Sequence, residues 1–171
     1  MSELFKNIFR FILLILLQVF VLNRILIHQI VNPYIYLVFI LVLPFRIQRP
    51  VLILWGLALG LTMDAFMNTM GMHAIACVLI AYLRPFIINI LAPQGGFEMV
   101  QKAPSFRTMG GAQFSVYTLV LVSIHHAVYF TLEVFGFAGF FYLLLKILLS
   151  VVVSTGLILL YEMLFVSGRR G

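Results

Sequence analysis

Residues Val51 to Pro85 read VLILWGLALGLTMDAFMNTMGMHAIACVLIAYLRP, two apolar runs joined by a short turn around Gly71. Each run approaches the roughly 20 apolar residues that an α-helix needs to cross a hydrocarbon core of about 30 Å. The formally charged residues of the stretch, Asp64 and Arg84, lie inside these runs. A charge in lipid costs about 2.5–3.5 kcal/mol on insertion scales unless it faces protein or water, so both side chains are expected to point into a bundle. Gly56, Gly60 and Asp64 recur at i, i+4 and i+8 and form one ridge on a helix, with two glycines that let a neighbouring backbone approach. Two readings of that ridge stay open: ordinary packing with one hydrogen-bonded acid, or a functional acid.

The rest of the chain has the same character. Of 171 residues, 64% are hydrophobic and 9% charged, and the mean hydropathy is +1.16, far from the usual soluble mix of about 25% charged residues. The reading is a single all-α integral-membrane domain over residues 1–171, a polytopic helical bundle with six transmembrane helices. Their expected bounds are Ile8–Leu22, Tyr34–Phe45, Val51–Thr69, Met72–Leu91, Gln113–Phe135 and Phe140–Phe165, with a polar loop over Pro93–Ala112. The first two are short, and Ile25–Ile30 is read as an extension of the first or as an interfacial piece. The first run has no small-residue cleavage pattern after it and reads as a retained helix. Pro85 is expected to kink or break the fourth helix and to free the Ala81 carbonyl.

A net charge of +6 does not indicate nucleic acid, because the basic residues flank apolar runs and there set orientation. Placing both termini in the cytoplasm puts Lys6, Arg10, Arg46, Arg49, Lys102, Arg107, Arg169 and Arg170 inside and leaves Arg24 as the basic residue of an outer connector. Trp55 is expected at headgroup level. Cys77 is the single cysteine and has no disulfide or CxxC partner.

At 1.5 Å per residue, Asp64 and Lys146 both lie roughly 10 Å in from the outer face and are able to meet, with Glu133 as a competing partner for Lys146. Arg84 has no acid at its own depth; the Ala81 carbonyl, the imidazoles of His125 and His126, or a group from another protein are its candidate partners. His125 and His126 point about 100° apart on a helix and do not suit one metal ion. His73 is a candidate relay partner of Asp64. No HExxH, GxSxG or paired-carboxylate pattern is present, so no catalytic residue, metal or cofactor is assigned. The aromatic segment VYFTLEVFGFAGFFYLLL reads as lipid-facing rings or a docking surface.

The run GLALGLTMDAFMNTMGMHAIACVLIAYLRP resembles the core of the MreD family, the small integral-membrane subunit of the bacterial cell-elongation machinery. Gly56, Gly60, Asp64, Gly71 and Arg84 match the family's glycines, intramembrane acid, later glycine and following arginine, and length and span layout agree over nearly the whole chain. The resemblance implies a fold similar to energy-coupling-factor substrate-binding subunits and residence in the bacterial cytoplasmic membrane. It also implies a non-enzymatic role: binding the bitopic scaffold MreC and, through it, linking actin-like MreB filaments to the peptidoglycan synthase and transpeptidase of elongation. Those five residues would then serve helix packing or partner binding. The alternative is a small-molecule-binding subunit of an energy-coupling-factor vitamin transporter. Such subunits use an alanine-rich ridge on the first helix, whereas IFRFILLILLQVFVL has no alanine.

The charge pattern sets a topology test. In a Cys77→Ala background, a cysteine at Arg24 should react with an impermeant thiol reagent from outside, and cysteines at Arg46 and Lys102 should not. Outside labelling at Lys102 overturns the topology.

Overall fold

The computed structural model describes residues 3–24, 31–94, 96–97, 103–134 and 139–167, with side chains assigned no further than 165 in the last stretch. Lys102, Arg169 and Arg170, used above for topology, and the Ile25–Ile30 piece lie outside the described residues. Within them the fold is all-helical: α1 (Glu3–Phe20), α2 (Val38–Leu41), α3 (Arg49–Met67), α4 (Met72–Leu91), α5 (Phe106–Met109), α6 (Gly111–Val134) and α7 (Phe140–Tyr161). Five of these, α1, α3, α4, α6 and α7, are long and apolar enough to cross a membrane.

The second expected span is not a helix of membrane length. Its residues form an extended stretch to Tyr34, a 3₁₀ turn over Ile35–Leu37 and the single turn of α2, then leave helical geometry at Val42. The reason is local. Pro33 and Pro44 bracket ten residues, which as an α-helix would reach only about 15 Å, half a hydrocarbon core. Proline also disfavours helical geometry in the residue before it, which ends α2 short of Pro44. The segment therefore continues in a more extended form through the middle of the bundle. Tyr36 to Leu41 are wholly inaccessible.

Side-chain contacts fix the directions of the passes. Gln18, late in α1, bonds Pro33 and Ile35, whereas Phe11, two turns earlier, lies against Phe39 and Trp55. The segment thus runs antiparallel to α1, and α3 parallel to it. Asn32 and Tyr34 bond Ser150 and Ser154 in the same order, so α7 runs with the segment. The same end of the bundle therefore carries Lys6, Arg10, Arg46, Arg49 and Arg107, and the opposite end Arg24. Trp55 is half-buried between Phe11 and Phe39, with ring centroids 5.7 and 5.2 Å away. It fills the α1–α3 contact.

α3 and α4 form the tightest pair. α3 starts with Pro50 in its first turn and ends at Asn68 in the left-handed region (φ 57°), whose N–H returns to the Asp64 carbonyl. Gly71 (φ 86°) then turns the chain directly into α4. α4 continues through Pro85 to Leu91, so the proline does not break it. The loop before α6 is only partly solvated: Phe97 stacks on Phe45 at 5.8 Å and Phe106 meets Phe114 edge-on at 5.1 Å.

Gly56 and Gly60 face α4. A Cβ on Gly56 would lie 2.9 Å from the Ala81 Cβ and 3.0 Å from the Cys77 carbonyl oxygen. On Gly60 it would lie 2.6 Å from the Ala74 nitrogen and 2.7 Å from the His73 carbonyl oxygen, which are backbone atoms and cannot rotate away. Neither position has room for a Cβ, and the clash is the more severe at Gly60. Gly60→Ala should destabilise by about 1–3 kcal/mol as the helices are forced apart, Gly56→Ala by less, and Gly60→Leu should prevent folding. Leu61→Ile on the exposed side of α3 should be neutral. Thermal unfolding in detergent measures this order, and a Gly60→Ala protein as stable as wild type would contradict it.

Candidate functional site

A backbone that is neither helix nor sheet inside a membrane protein must find hydrogen-bond partners within the protein. Here the partners are side chains of the surrounding helices. At the leading end of the segment, Gln18 Nε2 donates to the Pro33 carbonyl (2.8 Å) and to Asn23 Oδ1 (2.9 Å), while its Oε1 accepts from Ile35 N (2.9 Å). Ser150 Oγ accepts from Asn32 N (3.1 Å), and Ser154 Oγ accepts from Tyr34 N (2.9 Å). The Ser154 hydroxyl also meets His126 Nε2 at 3.1 Å, and His126 Nδ1 lies 2.9 Å from the Val122 carbonyl. A carbonyl only accepts, so Nδ1 carries the proton. In neutral His126, Ser154 then donates to Nε2.

In the middle, Tyr36 Oη sits 2.8 Å from His73 Nδ1 and 3.0 Å from His125 Nε2. One hydroxyl has one proton, so Tyr36 donates to one imidazole and accepts from the other. The Cys77 sulfur is 3.8 Å from the same His125 nitrogen. Tyr34 packs among His73, His125, His126 and Tyr129, with ring centroids 5.2–5.9 Å away. The interior is thus filled by rings.

At the trailing end, Arg84 gathers carbonyls at and just beyond the end of α2. Its NH2 donates to the Leu43 carbonyl in a short bond and lies 3.5 Å from the Leu41 carbonyl; NH1 lies 3.5 Å from the Pro44 carbonyl. Nε donates to Tyr117 Oη (3.0 Å), which in turn donates to the Leu41 carbonyl (2.9 Å). Arg84 is buried, with 1% of its surface accessible. It meets neither His125 nor His126, and the Ala81 carbonyl is not among its partners. Nor does it present a donor to another protein. Its requirement is met within the chain by oxygens of the broken segment, which sequence depth arithmetic does not reveal.

Asp64 also turns to backbone. Oδ1 accepts from Thr69 Oγ1 (2.6 Å) and His73 N (3.0 Å), and Oδ2 accepts from Ala74 N (2.9 Å). It therefore caps the first turn of α4 from the far side of the Gly71 turn, satisfying donors that a helix start leaves free. Asp64 and Lys146 do not form a pair. Lys146 bonds Glu133 at 2.5 Å and lies 4.7 Å over the Phe130 ring. His73 joins Asp64 through its backbone N–H and Tyr36 through its ring, so no side-chain relay links the acid to the imidazole.

Among the described residues no three His, Cys, Asp or Glu side chains converge as metal ligands. Sequence reasoning missed Gln18, Tyr36, Tyr117, Ser150 and Ser154. Part of the signal was available: each is a polar group inside an apolar run, and the proline-bracketed segment, in which Tyr36 itself lies, lacked its own partners. Chemically, the arrangement holds backbone in place. Tyr36, His73 and His125 are fully enclosed. Comparison with protein-family models, curated proteins and solved structures returned no match.

Two substitutions separate these roles. Arg84→Lys retains the charge but not the planar fork, and should leave at least one buried carbonyl unpaired at a cost of about 1–3 kcal/mol; Arg84→Met should cost more. Asp64→Asn keeps one accepting oxygen and should lose less stability than Asp64→Leu, which uncaps α4 entirely. Unfolding midpoints in one detergent give the ranking. Equal midpoints for Asn and Leu would remove the cap from the account.

Proposed function

We propose that this chain is a non-catalytic multi-pass subunit of the bacterial cell-elongation machinery, of the MreD type. On this reading it binds the bitopic scaffold MreC in the cytoplasmic membrane and helps connect MreB filaments with the peptidoglycan synthase and transpeptidase. Val31 to Pro44 is counted as its second pass, so the chain crosses six times, in a layout like that of energy-coupling-factor substrate-binding subunits. Both termini lie on the cytoplasmic side, where Lys6, Arg10, Arg46, Arg49 and Arg107 gather.

One observation carries this reading: the residues that bear the family resemblance are engaged inside the bundle. Gly56 and Gly60 meet the α4 backbone, Asp64 caps α4, Gly71 makes the left-handed turn between the helices, and Arg84 braces the broken segment. They define a scaffold and offer no reactive group. What remains for work is the periphery, where α1 exposes Phe5, Phe9, Ile12 and Leu16 and α7 exposes Phe141, Leu145, Leu148 and Val152. These apolar faces suit lipid and the single helix of a bitopic partner, which associates by close packing.

The test is affinity purification of a tagged chain co-expressed with MreC, combined with rescue of rod shape in cells lacking the native subunit. MreC should be retained in near-equal amount, and rod shape should be restored. Recovery of a stoichiometric vitamin-like small molecule with no single-span protein would move the chain to the transporter class.

A further inference from the structure

The outer face of the α3–α4 pair carries a shallow trough of about 420 Å³ lined by Ile53, Leu57, Ala74, Ile75, Val78 and Tyr82. It exists because Gly56 and Gly60 draw the two backbones together while the side chains flanking the contact stand up on either side. On α3 the ridge continues from Leu57 and Ile53 to Arg49, each four residues apart. On α4 it continues from Ile75 and Val78 through Tyr82 to Phe86. The ridges converge at one end, where the Arg49 guanidinium carbon lies 5.3 Å from the Phe86 ring centroid. Tyr82 stands beside Phe86 at 5.5 Å. Arg49 is exposed, and among the described residues it has no carboxylate partner.

We infer that this trough holds one acyl chain of an anionic phospholipid, whose phosphate pairs with Arg49. Width favours a hydrocarbon chain. Eight residues of α4 separate Ala74 from Tyr82, about 12 Å of helix. A volume of about 420 Å³ over that length gives a cross-section of about 35 Å². A single acyl chain fits within that section, whereas a helix 10–12 Å across could insert no more than one row of its side chains. Charge favours an anionic lipid: the apolar walls end at an unpaired guanidinium at the basic end of the bundle, where a guanidinium binds phosphate in bidentate fashion. A neutral sheath lipid would use the trough without using Arg49.

The experiment is native mass spectrometry of the detergent-purified full chain titrated with phosphatidylglycerol or phosphatidylcholine. Wild type should prefer phosphatidylglycerol. Arg49→Gln should lower that preference about fivefold, the effect of one basic residue at an anionic surface, and leave phosphatidylcholine binding unchanged. Val78→Trp, which fills the trough, should reduce occupancy by both lipids, while Leu13→Trp on the exposed face of α1 should reduce neither. Independently of any variant, phosphatidylglycerol with a photoreactive acyl chain should label Ile75, Val78 and Tyr82 in the wild-type chain. Wild-type preference in Arg49→Gln, or photolabel spread evenly over α1 and α7, overturns the assignment. So does release of a co-purifying single-span protein by Val78→Trp with lipid occupancy unchanged, which would give the trough to a helix.

Discussion

The structure depends on one guanidinium. A chain that breaks out of helical geometry inside hydrocarbon exposes carbonyls whose desolvation costs several kcal/mol each. Arg84 meets this demand for the trailing end of the Val31–Pro44 segment: its planar fork and the Tyr117 hydroxyl reach the carbonyls of Leu41, Leu43 and Pro44. The same contacts answer the opposite problem, a deep cation without an acid. Carbonyl dipoles supply the negative potential that a carboxylate would otherwise provide, and each group solves the solvation problem of the other.

This brace works only if Arg84 stands at the right depth, and that depth is set elsewhere. Asp64 holds the first turn of α4, and Gly60 presses α3 against the backbone of Ala74 and His73. Together they fix where α4 begins. Ten residues separate Ala74 from Arg84, so the cap at one end positions the guanidinium about 15 Å away. His73, at the capped end, holds the Tyr36 hydroxyl, and Tyr36 lies in the same segment that Arg84 braces. α4 therefore grips the segment at two levels. The glycine ridge, the acid and the arginine act as one framework.

Such a core is committed to its own geometry, which concentrates any exchange with other molecules at the rim. There the side chains are those that lipid tolerates: leucines and phenylalanines on α1 and α7, and a trough on α3–α4 that ends at Arg49. Polarity increases inward, the reverse of a soluble protein. It follows from the same rule: the polar groups that hold the segment, Gln18, Arg84, Ser150 and Ser154, sit where backbone groups can satisfy them.

Much was legible without coordinates. Membrane class, the bounds of α4, the inward direction of Asp64 and Arg84 and the closeness required at Gly56 and Gly60 follow from hydropathy, helical spacing and the cost of charge in lipid, all local properties of the chain. The two prolines at 33 and 44 already limit a helix between them to half a membrane. The partners were decided only in three dimensions. Nothing in residue spacing says that Asp64 turns back to cap the next helix while Lys146 takes Glu133, or that Trp55 goes inward to Phe11 and Phe39. Nor does it say that Gln18, Ser150, Ser154 and Arg84, far apart in sequence, converge on one unsatisfied stretch. Depth along a helix axis is readable at 1.5 Å per residue. Which faces meet is not, because azimuth depends on how all the passes pack together, and a hydrogen bond is decided by a few ångströms in that direction.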